Sequence, residues 1–280
     1  MPGRQAPSGA ADKVTYSSYL RLDRLLDAQR PLSDPPHHDE LLFIIQHQTS
    51  ELWMKLILHE LRAVIRYIRA DELEPCFNIL ARVRLIQRQL FEQWAVLETL
   101  LPSEYAKFRH VLGTASGFQS AQYRMIEYLL GNKDADMLAM FEHDAALYRQ
   151  VSEALLTPSL YDEFLRHLAR RGYAVPEICV ERDWSRPHER NEQIVAVMKG
   201  IYADPERNWD AYALCEKLVD LQMQFQLWRF RHMKTVERII GYQHGTGGSA
   251  GVPYLRKIAE TNFFPELFDV RTQIGVDASA

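Results

Sequence analysis

Apolar residues recur every third or fourth position along almost the whole chain, the spacing of helices with one buried face. The pattern predicts a first helix from Thr15, with Tyr19, Leu22, Leu25 and Leu26 on one stripe, then a proline-rich loop at 31–36. Two long helices follow, over 39–70 and 74–100. Pro102 suits the first turn of a short helix that the glycines at 113–117 interrupt. Residues 118–130 are helical again and stop at Gly131-Asn132. Three shorter helices fall between 134 and 172, an irregular stretch spans 173–188, and the last long helix runs from near Pro205 to Ile240. A glycine loop over 245–251 and a short amphipathic helix after Pro253 complete the pattern. No segment alternates with period two between hairpin turns, and no repeat of 20–50 residues is present. The expected fold is all-α: a single large helical-bundle domain over 14–280 with long central helices. Residues 134–203 could form a small inserted helical lobe, and residues 1–13, small and polar, are expected to be a disordered tail.

Two interruptions of this pattern carry chemistry. In the 39–70 helix, Gln46-His47-Gln48-Thr49-Ser50-Glu51 is polar for six residues, about 600° of rotation, so a solvated stripe cannot account for it. Orphaned buried polar groups cost about 1–3 kcal/mol each, so the belt needs protein partners or a ligand. Phe43, His47, Ser50 and Met54 share one face there. The belt is either an interhelix hydrogen-bond layer with His47 as a core histidine, or part of a site. In the last long helix, Leu214, Leu218, Leu221, Phe225, Trp228, His232, Val236 and Ile239 form an apolar stripe holding one histidine. His232 is a hydrogen-bonded core residue or a metal ligand. A five-coordinate haem iron needs one such axial ligand and apolar walls, which Phe225, Trp228 and Met233 could supply. Arg229 and Arg231 beside it suit haem propionates or ordinary ion pairs.

Further candidates are weaker one by one. Tyr105 and Arg109 share a helix face, and arginine captures carboxylates in two-pronged fashion, as an amino-acid substrate would require. The 245–251 glycine loop follows a helix rather than a strand, so it is no dinucleotide fingerprint. It is a plain connector, or a loop that closes over a site with Thr246 at its tip. His37-His38-Asp39-Glu40 sits at a helix start and reads as capping. His-Glu-x-x-His, Gly-x-Ser-x-Gly and paired Glu-x-x-His motifs are absent.

Composition narrows the class. The 280 residues carry 33 Lys+Arg against 37 Asp+Glu, a net charge of −4, which argues against a nucleic-acid partner. Hydrophobic residues at 47% and charged at 25% describe a globular protein rather than a disordered one. No apolar run exceeds five residues, as at Leu41–Ile45, far short of the roughly 20 residues of a membrane span. The first twelve residues hold no apolar stretch, so no secretory signal is expected. Cys76, Cys179 and Cys215 are odd in number and far apart, which fits a reducing cytoplasm better than a disulfide framework or a zinc site.

Six segments, in order, share one resemblance: Phe43-Ile-Ile-Gln-His-Gln-Thr-Ser-Glu-Leu-Trp53, Glu98-Thr-Leu-Leu-Pro-Ser-Glu-Tyr105, Ser116-Gly-Phe-Gln-Ser120, Gln224-Phe-Gln-Leu-Trp-Arg-Phe-Arg-His232, Gly245-Thr-Gly-Gly-Ser249 and Phe263-Phe-Pro-Glu-Leu-Phe268. Over about residues 15–275 the chain resembles the tryptophan 2,3-dioxygenase family. The resemblance implies a homotetrameric, cytoplasmic haem b enzyme, ferrous when active, that opens the indole ring of L-tryptophan with O2 to give N-formyl-L-kynurenine. It implies His232 as the axial iron ligand, with Trp94, Ser116 and Gly117 also at the haem. His47 would face the indole N–H as the catalytic-site histidine, and Phe43 would line the indole pocket. Arg109, supported by Tyr105, would hold the carboxylate, and Thr246 the ammonium group. Tyr16, Tyr19 and Leu20 would complete the pocket of a neighbouring subunit. A passive haem carrier and a haem-free scaffold are the alternatives, and neither needs an amino-acid clamp.

Overall fold

The computed structural model describes residues 14–248 and 250–275. The expected tail at 1–13 lies outside the described residues. Along the chain the α-helices are α1 (Tyr16–Leu20), α2 (Leu22–Leu25), α3 (His38–Arg69), α4 (Glu74–Glu92), α5 (Trp94–Leu97), α6 (Pro102–Phe108) and α7 (Ala121–Leu130). They continue as α8 (Ala145–Leu156), α9 (Leu160–Arg170), α10 (Glu177–Val180), α11 (Glu192–Ala203), α12 (Trp209–Ile240), α13 (Val252–Ala259) and α14 (Pro265–Asp269). Short 3-10 turns lie at Arg109–Leu112, Gly117–Gln119, Ala135–Phe141 and Val270–Thr272. The fold is all-α, with no strand among the described residues. No helix among them is long and apolar enough to cross a membrane.

Local chemistry sets the boundaries. The His37 side chain caps α3 by accepting the Asp39 N–H. Glu40, expected to serve the helix dipole, instead accepts the Leu32 and Ser33 N–H groups and ties the preceding loop to α3. The predicted helix over 74–100 breaks at Gln93, where an i→i+3 bond from the Val96 N–H to the Gln93 carbonyl tightens the turn. That break carries α5 and buries Trp94 and Leu97. The last long helix starts at Trp209 rather than Pro205, because the Asp204 side chain accepts the Arg207 N–H in a turn of its own. Phe118 lies in the 3-10 turn before α7, which Ser120 caps by accepting the Tyr123 N–H.

The core is a slab of long helices. α4 packs against both α3 and α12, α7 and α9 lie on α3, and α13 lies on α12. Buried residues of the 134–203 stretch, including Phe141, Leu155, Tyr161, Phe164 and Met198, join the same apolar cluster as Leu61, Leu80 and Leu218 of the long helices. α1 and α2 pack mainly on each other and bury no residue. Their predicted stripe therefore does not face this chain's core: Tyr19 is 77% and Leu26 70% exposed.

Candidate active site

The polar belt of α3 resolves residue by residue. Gln48 Nε2 donates to the Ala28 carbonyl at 3.1 Å and fastens the N-terminal segment. Thr49 bonds back to the Ile45 carbonyl at 2.8 Å. Ser50 accepts from Gln93 Nε2 at 2.6 Å, next to Trp94. Glu51 accepts from Gln122 Nε2 at 2.8 Å, joining α3 to α7. Ser50 and Glu51 thus form an interhelix hydrogen-bond layer, whereas Gln48 reaches a loop and Thr49 bonds only within α3. His47 differs: with Phe43, Ser50, Glu51 and Met54 it faces a cavity of about 250 Å³.

That cavity lies between α3, α5–α7, α12 and α13. Phe43, His47, Trp94, Tyr105, Arg109, Ser116, Gly117, His232 and Thr246 all line it. Tyr16, Tyr19 and Leu20 do not, and in their own chain they are 78%, 77% and 40% exposed.

His232 stacks against Trp94, with ring centroids 4.7 Å apart and planes 13° from parallel, and Trp228 lies on the stack at 6.5 Å and 17°. Neither ring nitrogen makes a hydrogen bond among the described residues. Burial, aided by the nearby His47, pushes its pKa down to about 4, so the imidazole is neutral and its lone pair is available. His47 Nδ1 lies 2.7 Å from the Phe43 carbonyl, and the two rings are 4.2 Å apart. Burial also lowers the His47 pKa against the opposing pull of the Phe43 carbonyl and Glu51.

Arg109 follows α6 and reaches across to the loop after α12. Its guanidinium donates to the Gln243 side chain and, at 2.6 Å, to the His244 carbonyl. The Thr246 hydroxyl donates to the Ala115 carbonyl. The glycine loop is thus latched across the segment that carries Ser116 and Gly117. Gly247 makes this approach possible, because a Cβ there would lie 2.6 Å from Ser116 Cβ.

One buried cluster escaped sequence reasoning. Glu127 of α7 pairs with Arg124 at 2.6 Å and with Arg229 of α12, and accepts from the Tyr123 hydroxyl at 3.1 Å. Two guanidiniums therefore meet one carboxylate at the cavity wall, and the Arg124 Nε has no partner among the described residues. The signal in the sequence was Arg124 and Glu127 at i, i+3 in a largely apolar helix. Arg229 and Arg231, candidates for a propionate, are committed to Glu127 and to Glu98 respectively. Arg231 also holds the Glu98 carboxyl below its usual range.

The model of the tryptophan 2,3-dioxygenase family matches residues 3–198 and 186–274. The chain belongs to the tryptophan 2,3-dioxygenase family. It is 61% identical over 264 residues to the tryptophan 2,3-dioxygenase of Myxococcus xanthus, covering 94% of this chain and 91% of that protein. The Serratia proteamaculans tryptophan 2,3-dioxygenase is 60% identical, with 94% of each chain covered. The Xanthomonas euvesicatoria tryptophan 2,3-dioxygenase is 58% identical over 95% of this chain and 89% of its own. Of the six motif segments, those at 43–53, 98–105, 116–120 and 224–232 and the residues Gly245 and Thr246 help wall the cavity, and the segment at 263–268 packs behind it in the core.

Proposed function

We propose that this cavity is where the chain carries out its family's reaction, the opening of the indole ring of L-tryptophan by O2 to give N-formyl-L-kynurenine, with haem b held by His232. The observation that carries the haem reading is His232 itself: a neutral, stacked imidazole with no hydrogen-bond partner among the described residues, facing an apolar cavity. The surroundings fit the group. The Nε1 atoms of Trp94 and Trp228 and the Nε of Arg124 are buried donors without partners among the described residues, and Arg124 belongs to the cluster with an excess of positive charge. Buried donors of this kind call for acceptors, which the two acidic side chains of a haem supply. Ser116 and Gly117 border the same space. When bound, ferrous haem supplies the oxygen chemistry, and the protein positions the substrate and excludes water.

The substrate contacts follow from donor and acceptor types. Arg109 presents a planar fork to the carboxylate, backed by Tyr105 on the same helical face. The Thr246 hydroxyl spends its proton on Ala115, so its lone pairs are free to accept from the ammonium group. His47 Nδ1 carries its proton toward the Phe43 carbonyl, which leaves Nε2 as an acceptor for the indole N–H. Phe43 lies against the same ring. Three oriented contacts hold the indole C2–C3 bond in one place, which is the positional part of catalysis.

The N-terminal residues enter through a second subunit. Tyr16, Tyr19 and Leu20 stand in solvent on helices without a core of their own, which supports a homotetramer in which they close a neighbour's pocket. Three free, buried cysteines suit a cytoplasmic setting.

The test is the absorption spectrum of the purified, reduced protein with tryptophan and O2. A Soret band that His232→Ala abolishes, together with N-formylkynurenine absorbance from the unaltered protein, is expected. Product formation by a haem-free protein, or an intact ferrous spectrum in His232→Ala, would overturn the assignment.

A further inference from the structure

Stacking alone fixes the plane of the His232 ring but not its position along the stack, since parallel rings slide past one another at little cost. A neighbouring contact supplies the missing constraint. Trp94 and Glu98 are four residues apart, so they leave the α5 segment on one face. Trp94 lies on the His232 ring. The Glu98 carboxylate meets α12 on the adjacent stripe: Arg231 Nε donates to Oε1 at 3.1 Å, and Arg231 Nη2 to Oε2 at 3.3 Å. The Thr235 hydroxyl lies 3.1 Å from Oε1 and 3.0 Å from the Arg231 carbonyl, and shares its one proton between them. The Glu98 carbonyl accepts from Arg238 Nε at 3.0 Å. One residue thus grips α12 at positions 231, 235 and 238, on both sides of His232 along the helix.

This clasp is partly open to water, with side-chain exposures of 31% for Glu98 and 21% for Arg231. An exposed ion pair contributes little to stability. Its geometry does more: it fixes the register of the Trp94 segment against the turn that carries His232. Groups behind an axial ligand set its orientation and hence the strength of its bond to the metal.

We propose that Glu98 is a positioning residue for the His232–iron bond, locking Trp94 and His232 in register without touching haem or substrate. This rests on the reading that His232 ligates haem. The experiment is resonance Raman spectroscopy of the ferrous haem-loaded protein, comparing the wild type with Glu98→Ala and Glu98→Gln. Haem content and helix content are measured in parallel. The expected result is an iron–histidine stretching band that is shifted and broadened in Glu98→Ala at full haem content, and partly restored in Glu98→Gln, which keeps the acceptor for Thr235. Turnover in Glu98→Ala should fall on the order of tenfold, with KM for tryptophan unchanged. An unaltered band in a haem-loaded Glu98→Ala overturns the proposal. If that variant does not fold, Glu98→Gln and Arg231→Gln decide by the same band, and an unaltered band in both overturns it. A wild-type protein with haem but no iron–histidine band would instead sink the ligand assignment on which the proposal stands.

Discussion

The Nδ1 atom of His47 lies 2.7 Å from the carbonyl oxygen of Phe43, one turn earlier in α3. A carbonyl only accepts, so the proton is on Nδ1 and the other ring nitrogen carries a lone pair into the cavity. His47→Ala is therefore expected to lower kcat/KM for tryptophan by roughly 10–100-fold, the worth of about 1–3 kcal/mol for a buried group left unpaired. The same variant should lose discrimination against tryptophan methylated at the indole nitrogen, which cannot donate. Steady-state kinetics with both substrates checks this, and undiminished discrimination rejects the contact. The pH dependence has a definite sign. Burial lowers the His47 pKa, so the acceptor persists above about 6.5 and its loss through protonation raises KM only on the acid side of that value.

Arg109 is already engaged with Gln243 and the His244 carbonyl, yet a guanidinium has five donors and this geometry uses two. Arg109→Ala is expected to weaken tryptophan use by about 2–5 kcal/mol in kcat/KM, the cost of leaving a carboxylate without its charged partner. Arg109→Lys should rescue little, because an ammonium cannot reproduce the planar fork. Tryptamine, which has no carboxylate, is the control. If the variant loses as much on tryptamine as on tryptophan, Arg109 is structural.

Much of this was legible in the chain, for identifiable reasons. The long helices announced themselves because α3 and α12 each carry apolar residues at helical spacing over most of their length, and the polar belt of α3 and His232 of α12 stood out as breaks in that spacing. The break at Gln93 did not, because it comes from hydrogen bonds in one turn and leaves the apolar spacing intact. The cluster of Arg124, Glu127 and Arg229 was hidden because it exists only where α7 meets α12. The stripe of Tyr19, Leu22, Leu25 and Leu26 is not one helix face, because Arg21 at φ 53° separates α1 from α2, and an apolar pattern does not say which surface its residues will meet.

These exposed residues lead to a prediction of their own. Tyr16 and Tyr19 contribute nothing to the cavity of their own chain. The double variant Tyr16→Ala/Tyr19→Ala is expected to keep full haem content and helix content while losing activity toward tryptophan. Coexpression with Arg109→Ala chains should restore part of the activity, because the mixed oligomer then contains intact sites capped by intact N-terminal segments. Absence of any rescue in such mixed oligomers rejects an intersubunit role.

Gly247 provides a test of the loop. A methyl group there would lie 2.6 Å from Ser116 Cβ and 2.7 Å from its Oγ, closer than real side chains approach, so either the loop or Ser116 must move. Displacing the loop separates Thr246 from Ala115 and withdraws the acceptor meant for the substrate ammonium. Gly247→Ala is accordingly expected to raise KM for tryptophan, with a cost of about 1–3 kcal/mol in kcat/KM for the overpacked contact. Its folding should be little changed, because the loop lies outside the core. The compensating change is Ser116→Gly, which removes the atoms in conflict. In the double variant KM should return toward the wild-type value. A Gly247→Ala variant with unchanged KM would show that the latch between Thr246 and Ala115 does not hold the substrate.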